Sequence, residues 1–241
     1  MFLFAAVLNF LSYKEYPAMS LILNIDTSTE NASICLANDE RCLFQSSNGN
    51  QKEHAAWLHP AIREALDESG KKVTDLMAIG ITAGPGSYTG LRVAMATAKG
   101  LCFALNIPLI AVNTLEAMGS MALEEQTDYI CPMIDARRME VFTALYDKKL
   151  SPVISPCAMI LDKHSFLTHL KDKKILFFGN GKNKFEKIIY EKNAIFKNLI
   201  FNAYHLSIIT YRKLIKSEFS SVSLTEPFYL KDYNTLFITK S

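Results

Sequence analysis

The chain reads as an α/β protein made of two copies of one βββαβα unit, and three observations carry that reading. An apolar run closing on an aspartate at a polar turn, Leu21 to Ile25 and then Asp26, recurs as Tyr129 to Ile134 and then Asp135. Each aspartate is followed by a second strand-like run, Ala32 to Ala37 in one half and Glu140 to Tyr146 in the other, so each half opens on a hairpin. In the first half an apolar run, a glycine loop and a helical pattern follow in order: Leu76 to Ile81, Gly84 to Gly90, Leu91 to Leu105. The restart at Tyr129 divides the chain into lobes 19–126 and 127–241.

Taken in order, Asp26-Thr27-Ser28-Thr29 begins the first turn, and Arg41 to Ser46 supplies a third strand. His54 to Glu68 carries apolar residues at helical spacing, with Pro60 expected to kink it and Gly70 to end it. In Gly84-Pro85-Gly86-Ser87-Tyr88-Thr89-Gly90, three glycines and a proline exclude a regular element. The N–H groups of the helix that follows would face this loop, an arrangement suited to an anion, with Ser87 and Thr89 as candidate caps. Leu109 to Val112 predicts a strand and Thr114 to Glu125 a helix. In the second half, Val153 to Met159 predicts a strand, Lys163 to Leu170 a helix, and Ile175 to Phe178 a strand before the turn Gly179-Asn180-Gly181. Helices from Asn183 and over Ala203 to Lys216 complete the pattern, followed by an apolar segment at Pro227 to Leu230. Two βββαβα lobes facing each other across a cleft, each with an aspartate at the mouth of its first hairpin, resemble the RNase H-like lobes of the actin-like ATPase (ASKHA) fold, a likeness that periodicity alone does not establish.

Composition narrows the function. The net charge of +2 hides a split, with 10 Lys/Arg against 17 Asp/Glu over 1–147 and 16 against 7 over 148–241. The basic residues of the second half are dispersed, which predicts a solvated surface and gives no ground for nucleic-acid binding from charge alone. Five cysteines without a CxxC pair, several of them in apolar runs, read as thiols of a reducing compartment. Phe2 to Leu11 is apolar, but about 20 residues are needed to span a bilayer, and no basic residue precedes the run. We therefore expect residues 1–18 to be a non-native or disordered leader, Met19 to be the start, and the protein to be cytoplasmic with no membrane association.

Asp26-Thr27-Ser28-Thr29, Gly84 to Arg92, Val112-Asn113-Thr114-Leu115, Ile134-Asp135-Ala136-Arg137 and Glu226-Pro227-Phe228-Tyr229-Leu230 resemble the TsaB family, also called YeaZ, over about residues 21–231. The resemblance implies a part in making threonylcarbamoyladenosine beside the tRNA anticodon. The role would be that of a non-catalytic partner and activator of the related enzyme TsaD, with the ATPase TsaE joining the complex and tRNA engaged through it. Such chains carry an older glycoprotease-like label. In the catalytic relative the segment matching Asn113 to Met118 is similar to Asn-His-x-x-x-His, whose imidazoles share a metal. Here Thr114 and Met118 stand at those places, a poor donor pair for a hard or borderline ion. His54 with His59, and His164 with His169, are five apart and diverge on a helix, so no catalytic or metal-ligating residue is expected.

Two other readings stay open at this point. In a small-molecule kinase of the sugar and acetate kinase fold, Asp26 and Asp135 would hold magnesium while the Thr27–Thr29 and Gly179–Gly181 turns cradle phosphates. In a pure scaffold, Asp26 caps its own turn. The candidate nucleotide-binding residues are Asp26, Thr27, Ser28, Thr29 and Asp135. No tightly bound cofactor is expected, with ATP or ADP placed at the complex interface. The helices His54–Glu68 and Leu91–Leu105 are expected to form the partner face through Leu58, Ile62, Leu91, Ala94, Met95, Ala98 and Cys102, and the same patch to form a homodimer when the partner is missing.

Overall fold

The computed structural model describes residues 20–231, so the expected leader 1–18 and the last ten residues of the chain lie outside the described residues. The first half folds as β1 (Leu21–Asp26), β2 (Ala32–Asn38), β3 (Arg41–Asn48), α1 (His54–Glu68), β4 (Ala78–Gly84), α2 (Tyr88–Leu105), β5 (Leu109–Asn113) and α3 (Thr114–Ser120). The second half gives β6 (Tyr129–Asp135), β7 (Glu140–Tyr146), β8 (Pro152–Ile160), α4 (Leu167–Leu170), β9 (Ile175–Phe178), α5 (Lys182–Glu186), β10 (Ala194–Phe196) and α6 (Ala203–Ile215).

The two sheets have one topology. Strand order is β3-β2-β1-β4-β5 in the first and β8-β7-β6-β9-β10 in the second, with β1 and β6 at equivalent central places. In each, the first three strands are antiparallel and the next two run parallel to the central strand. Every residue of β1 is buried, as a central strand covered on both faces requires. The duplication extends to the aspartates, since Asp26 and Asp135 each end the central strand.

Helices arrange the sheets in layers. The apolar sides of α1 and α2 cover one face of the first sheet in a cluster that includes Leu23, Ile25, Leu58, Ile62, Ala94 and Met95. A second cluster joins Ile22 and Ile110 of the first sheet, Leu115 and Met118 of α3, Leu206 and Ile209 of α6, and Leu176 and Phe178 of the second sheet. Thus α3 and α6 form a middle layer shared by the two sheets. The outer face of the second sheet packs on Phe166, Leu170 and Phe185, and the rings of Phe166 and Phe185 meet Phe177 edge-on.

The strands of the first sheet all precede residue 126 and those of the second all follow residue 127, but the last helix crosses over. Although α6 belongs to the second half of the chain, it lies on β1, β2, β4 and β5. Thr210 Oγ1 donates to Asn24 Oδ1 at 2.5 Å, and Ala203 N–H donates to Ser33 Oγ at 2.8 Å. The first sheet needs this cover because α1 and α2 occupy only one of its faces. Residues 218–231 also return to the first lobe, where Ser220 N–H bonds Leu109 O and Phe228 N–H bonds Ala83 O.

Several boundaries differ from those read in the sequence. Pro60 sits inside α1, which runs unbroken to Glu68. Its end is a Schellman turn: Gly70 takes φ +61°, Gly70 N–H bonds Asp67 O and Lys71 N–H bonds Leu66 O. The α3 helix stops at Ser120 rather than Glu125, and Ala122 turns into the shared core. Only Leu167–Leu170 of the expected helix at Lys163 to Leu170 is helical, and the three-residue β10 had no reading at all. Among the described residues no helix is long and apolar enough to cross a membrane.

Candidate functional site at the lobe boundary

Asp26 ends β1 with its side chain fully buried. Its Oδ1 accepts three hydrogen bonds, from Ser28 N–H at 3.1 Å, Ser28 Oγ at 2.6 Å and Thr82 Oγ1 at 2.6 Å. Oδ2 is buried without a partner among the described residues. Burial pushes the carboxyl above its ordinary range, and the Ser28 and Thr82 hydroxyls and the Ser28 N–H pull it partly back. This is an aspartate that shapes its own turn.

The glycine loop closes on that turn from outside. Ser87 N–H bonds Ser28 O at 2.7 Å, and Thr27 Oγ1 donates to Gly90 O at 2.6 Å. A Cβ on Gly86 would stand 2.2 Å from Ser28 O, and one on Gly90 2.0 Å from Thr27 O, so both positions must lack a side chain. Ser87 is the cap of α2, accepting from Gly90 N–H at 3.3 Å, while Thr89 is exposed and caps nothing. The chain itself thus takes up the Ser87 and Gly90 N–H groups of the expected anion-facing loop.

On the opposite wall, Asp135 N–H donates to Asn180 Oδ1 at 2.8 Å, and the Asp135 carboxylate accepts from Arg137 N–H at 2.6 Å and Lys184 Nζ at 2.7 Å. Asn180 Nδ2 reaches across to Glu30 Oε2, tying the β1–β2 turn of the first lobe to the turn after β9 of the second. The returning C-terminal segment makes a second tie. Tyr229 OH accepts from Arg92 Nε at 3.1 Å, the Arg92 guanidinium lies 4.1 Å from the Tyr88 ring centre, and Lys231 pairs with Glu140. Between these ties lies a cleft of about 640 Å³ walled by Ser28 to Glu30, Pro85 to Thr89, Ile134 to Arg137 and Phe228 to Lys231.

Of the five residues expected to hold nucleotide, Asp26, Thr27 and Ser28 are 0 % exposed, and only Ser28 borders the cleft. Thr29 and Asp135 do line it, yet Asp135 already has Lys184 as counter-ion. This donor set does not fit a magnesium–nucleotide held between Asp26 and Asp135: one carboxylate is enclosed by its own turn and the other is neutralised. The kinase reading is not carried further. Thr114 Oγ1 accepts Gly84 N–H at 3.2 Å, and Met118 packs beside Gly179, so both serve the core. The bridge between Glu30 and Asn180 escaped the sequence reading, because the two residues lie 150 positions apart in turns that do not correspond in the two copies.

The partner-face residues require a correction. Leu58, Ile62, Ala94, Met95, Ala98 and Cys102 are buried in the first-lobe core and Leu91 is buried as well, because the apolar stripe of each helix faces its own sheet. The outward side of the same pair carries Ala55, Ala56, His59, Ala96, Gly100 and Phe103, the last 84 % exposed, with His59 and Thr97 in contact between the helices at 3.4 Å.

A family model described as TsaD, tRNA N6-adenosine threonylcarbamoyltransferase, matches residues 48–232. The tRNA threonylcarbamoyladenosine biosynthesis protein TsaB of Bacillus subtilis is 32 % identical over 171 residues, 70 % of this chain and 74 % of the relative. TsaB of Escherichia coli is 35 % identical over 135 residues, and there the chain spans about half of the relative, 55 %. Among solved structures, YeaZ from Pseudomonas aeruginosa has a TM-score of 0.76 at 27 % identity, over 88 % of this chain and 100 % of that one.

Proposed function

The chain belongs to the TsaB family of tRNA threonylcarbamoyladenosine biosynthesis proteins, and from that membership we propose that it is a non-catalytic partner and activator of TsaD in the cytoplasm. The observation that carries the reading is the state of the inter-lobe cleft. The aspartate that would anchor a metal–nucleotide in an active relative of this fold is spent on Ser28 and Thr82, and Glu30 and Asn180 bridge the turns where phosphates would enter. In this reading ATP or ADP belongs to the interface of the assembled complex, TsaE joins as the ATPase, and tRNA is engaged through the complex.

The partner face is the outward side of α1 and α2. Ala55, Ala56, Ala96 and Gly100 give a low ridge that lets another helical layer approach closely, and Phe103 supplies a large apolar anchor. The same face would pair two copies of the chain when TsaD is missing. Reconstitution with tRNA, ATP, threonine and bicarbonate, omitting one protein at a time, tests the proposal. Modification should be lost without this chain and absent with this chain alone. Full activity in its absence, or modification by the chain on its own, would overturn the reading.

A further inference from the structure

Cys35 in β2 and Cys42 in β3 bring their sulfurs to 3.5 Å, and both are free thiols. The two strands run antiparallel, and a register shift between Leu36 and Ala37 sets Cys42 opposite Ala37, diagonal to Cys35. Around them close Ala37 and Ala203, the first residue of α6. The two sulfurs differ in access: Cys35 is 0 % exposed whereas Cys42 is half-buried at the sheet edge. Burial, and then the neighbouring Cys42, push the Cys35 thiol well above its ordinary range.

We propose that Cys35 and Cys42 form an oxidisable dithiol, a modification site at which a low-molecular-weight disulfide such as glutathione disulfide is reduced to two thiols as one intrachain disulfide forms. The asymmetry orders the steps. The accessible Cys42 thiolate attacks the external disulfide, forming a mixed disulfide and expelling one glutathione thiolate. Cys35 then gives its proton to solvent and attacks the Cys42 sulfur, forming the Cys35–Cys42 bond and expelling the second glutathione. Two thiol hydrogens and two electrons leave the protein, and both pass to the glutathione pair. Cys42 is thus the entry thiol and Cys35 the resolving one. The product clamps β2 to β3 beneath the first turn of α6, beside the Ser33 hydroxyl that holds Ala203 N–H. The site is independent of the partner role proposed above.

The full chain, reduced and then exposed to glutathione disulfide, is digested with trypsin and mapped without reductant. Arg41 lies between the two cysteines, so the tryptic peptides stay joined only if the disulfide exists. We expect a linked Cys35–Cys42 species, two hydrogens lighter than the reduced pair and released by dithiothreitol. Cys35→Ser should accumulate glutathione on Cys42, and Cys35→Ala should do the same if the hydroxyl perturbs folding. Cys42→Ser should slow modification of Cys35 by at least about tenfold. Absence of the linked species in the wild-type chain, or equally fast modification of Cys35 in Cys42→Ser, would overturn the proposal.

Discussion

Replacing Asp26 separates a turn-shaping carboxylate from a ligand-binding one. Asp26→Ala leaves three donors, Ser28 N–H, Ser28 Oγ and Thr82 Oγ1, without their common acceptor in a site that is fully buried. At about 1–1.5 kcal/mol for each orphaned donor the loss is about 3–5 kcal/mol, with the low end favoured because the carboxylate's own desolvation cost vanishes too. A urea dependence of about 2–3 kcal/mol/M turns this into a fall of about 1–2 M in the unfolding midpoint. Asp26→Asn keeps the acceptor oxygen and should stay within about 1.5 kcal/mol of wild type. The pH dependence adds a sign. The folded carboxyl holds its proton above the ordinary aspartate value of 3.8, so the unfolded chain releases its proton first. Wild-type stability relative to Asp26→Asn should therefore fall as pH rises from near that value through the raised folded pKa, and stay level above it. Urea melts of the three proteins across this range decide the matter. An Asp26→Ala protein with an unchanged midpoint that has lost activity in the reconstituted complex would refute the argument and return Asp26 to a ligand role.

Two further outcomes are expected. Gly90→Ala should cost about 3 kcal/mol or more in urea unfolding, because its Cβ would meet the Thr27 backbone oxygen at 2.0 Å and backbone gives way poorly; a near-neutral result would mean that the glycine loop is not seated on the first turn. Ala96→Glu on the outward side of α2 should leave circular dichroism unchanged while lowering affinity for TsaD by at least about tenfold, whereas Ala94→Glu on the buried side should unfold the lobe. Size-exclusion chromatography with and without the partner reads both variants, and undiminished binding by a folded Ala96→Glu protein would remove the proposed face.

What the sequence by itself determined is local order and its repetition. The apolar runs around Leu23 and Met133, the aspartates that end them and the strand–glycine loop–helix unit around Gly86 are written in contiguous residues, so the fold class followed from them. The helical stripe of α2 was legible for the same reason, but its direction was not. An apolar stripe looks alike whether it faces its own sheet or a partner, and only the packed sheet assigned Ala94 and Ala98 to the core and Ala96 and Phe103 to the surface. Long-range pairing decided the rest. The Asn24–Thr210 bond that carries α6 back to the first sheet and the Glu30–Asn180 bridge join residues 186 and 150 positions apart, as does the Phe228 bond to Ala83 at the other end of the cleft. No periodicity encodes such contacts. They form because a two-faced sheet must be covered on both sides, and because buried polar groups of segments distant in sequence, such as the Thr27–Ser28 turn and the glycine loop, are paired with each other.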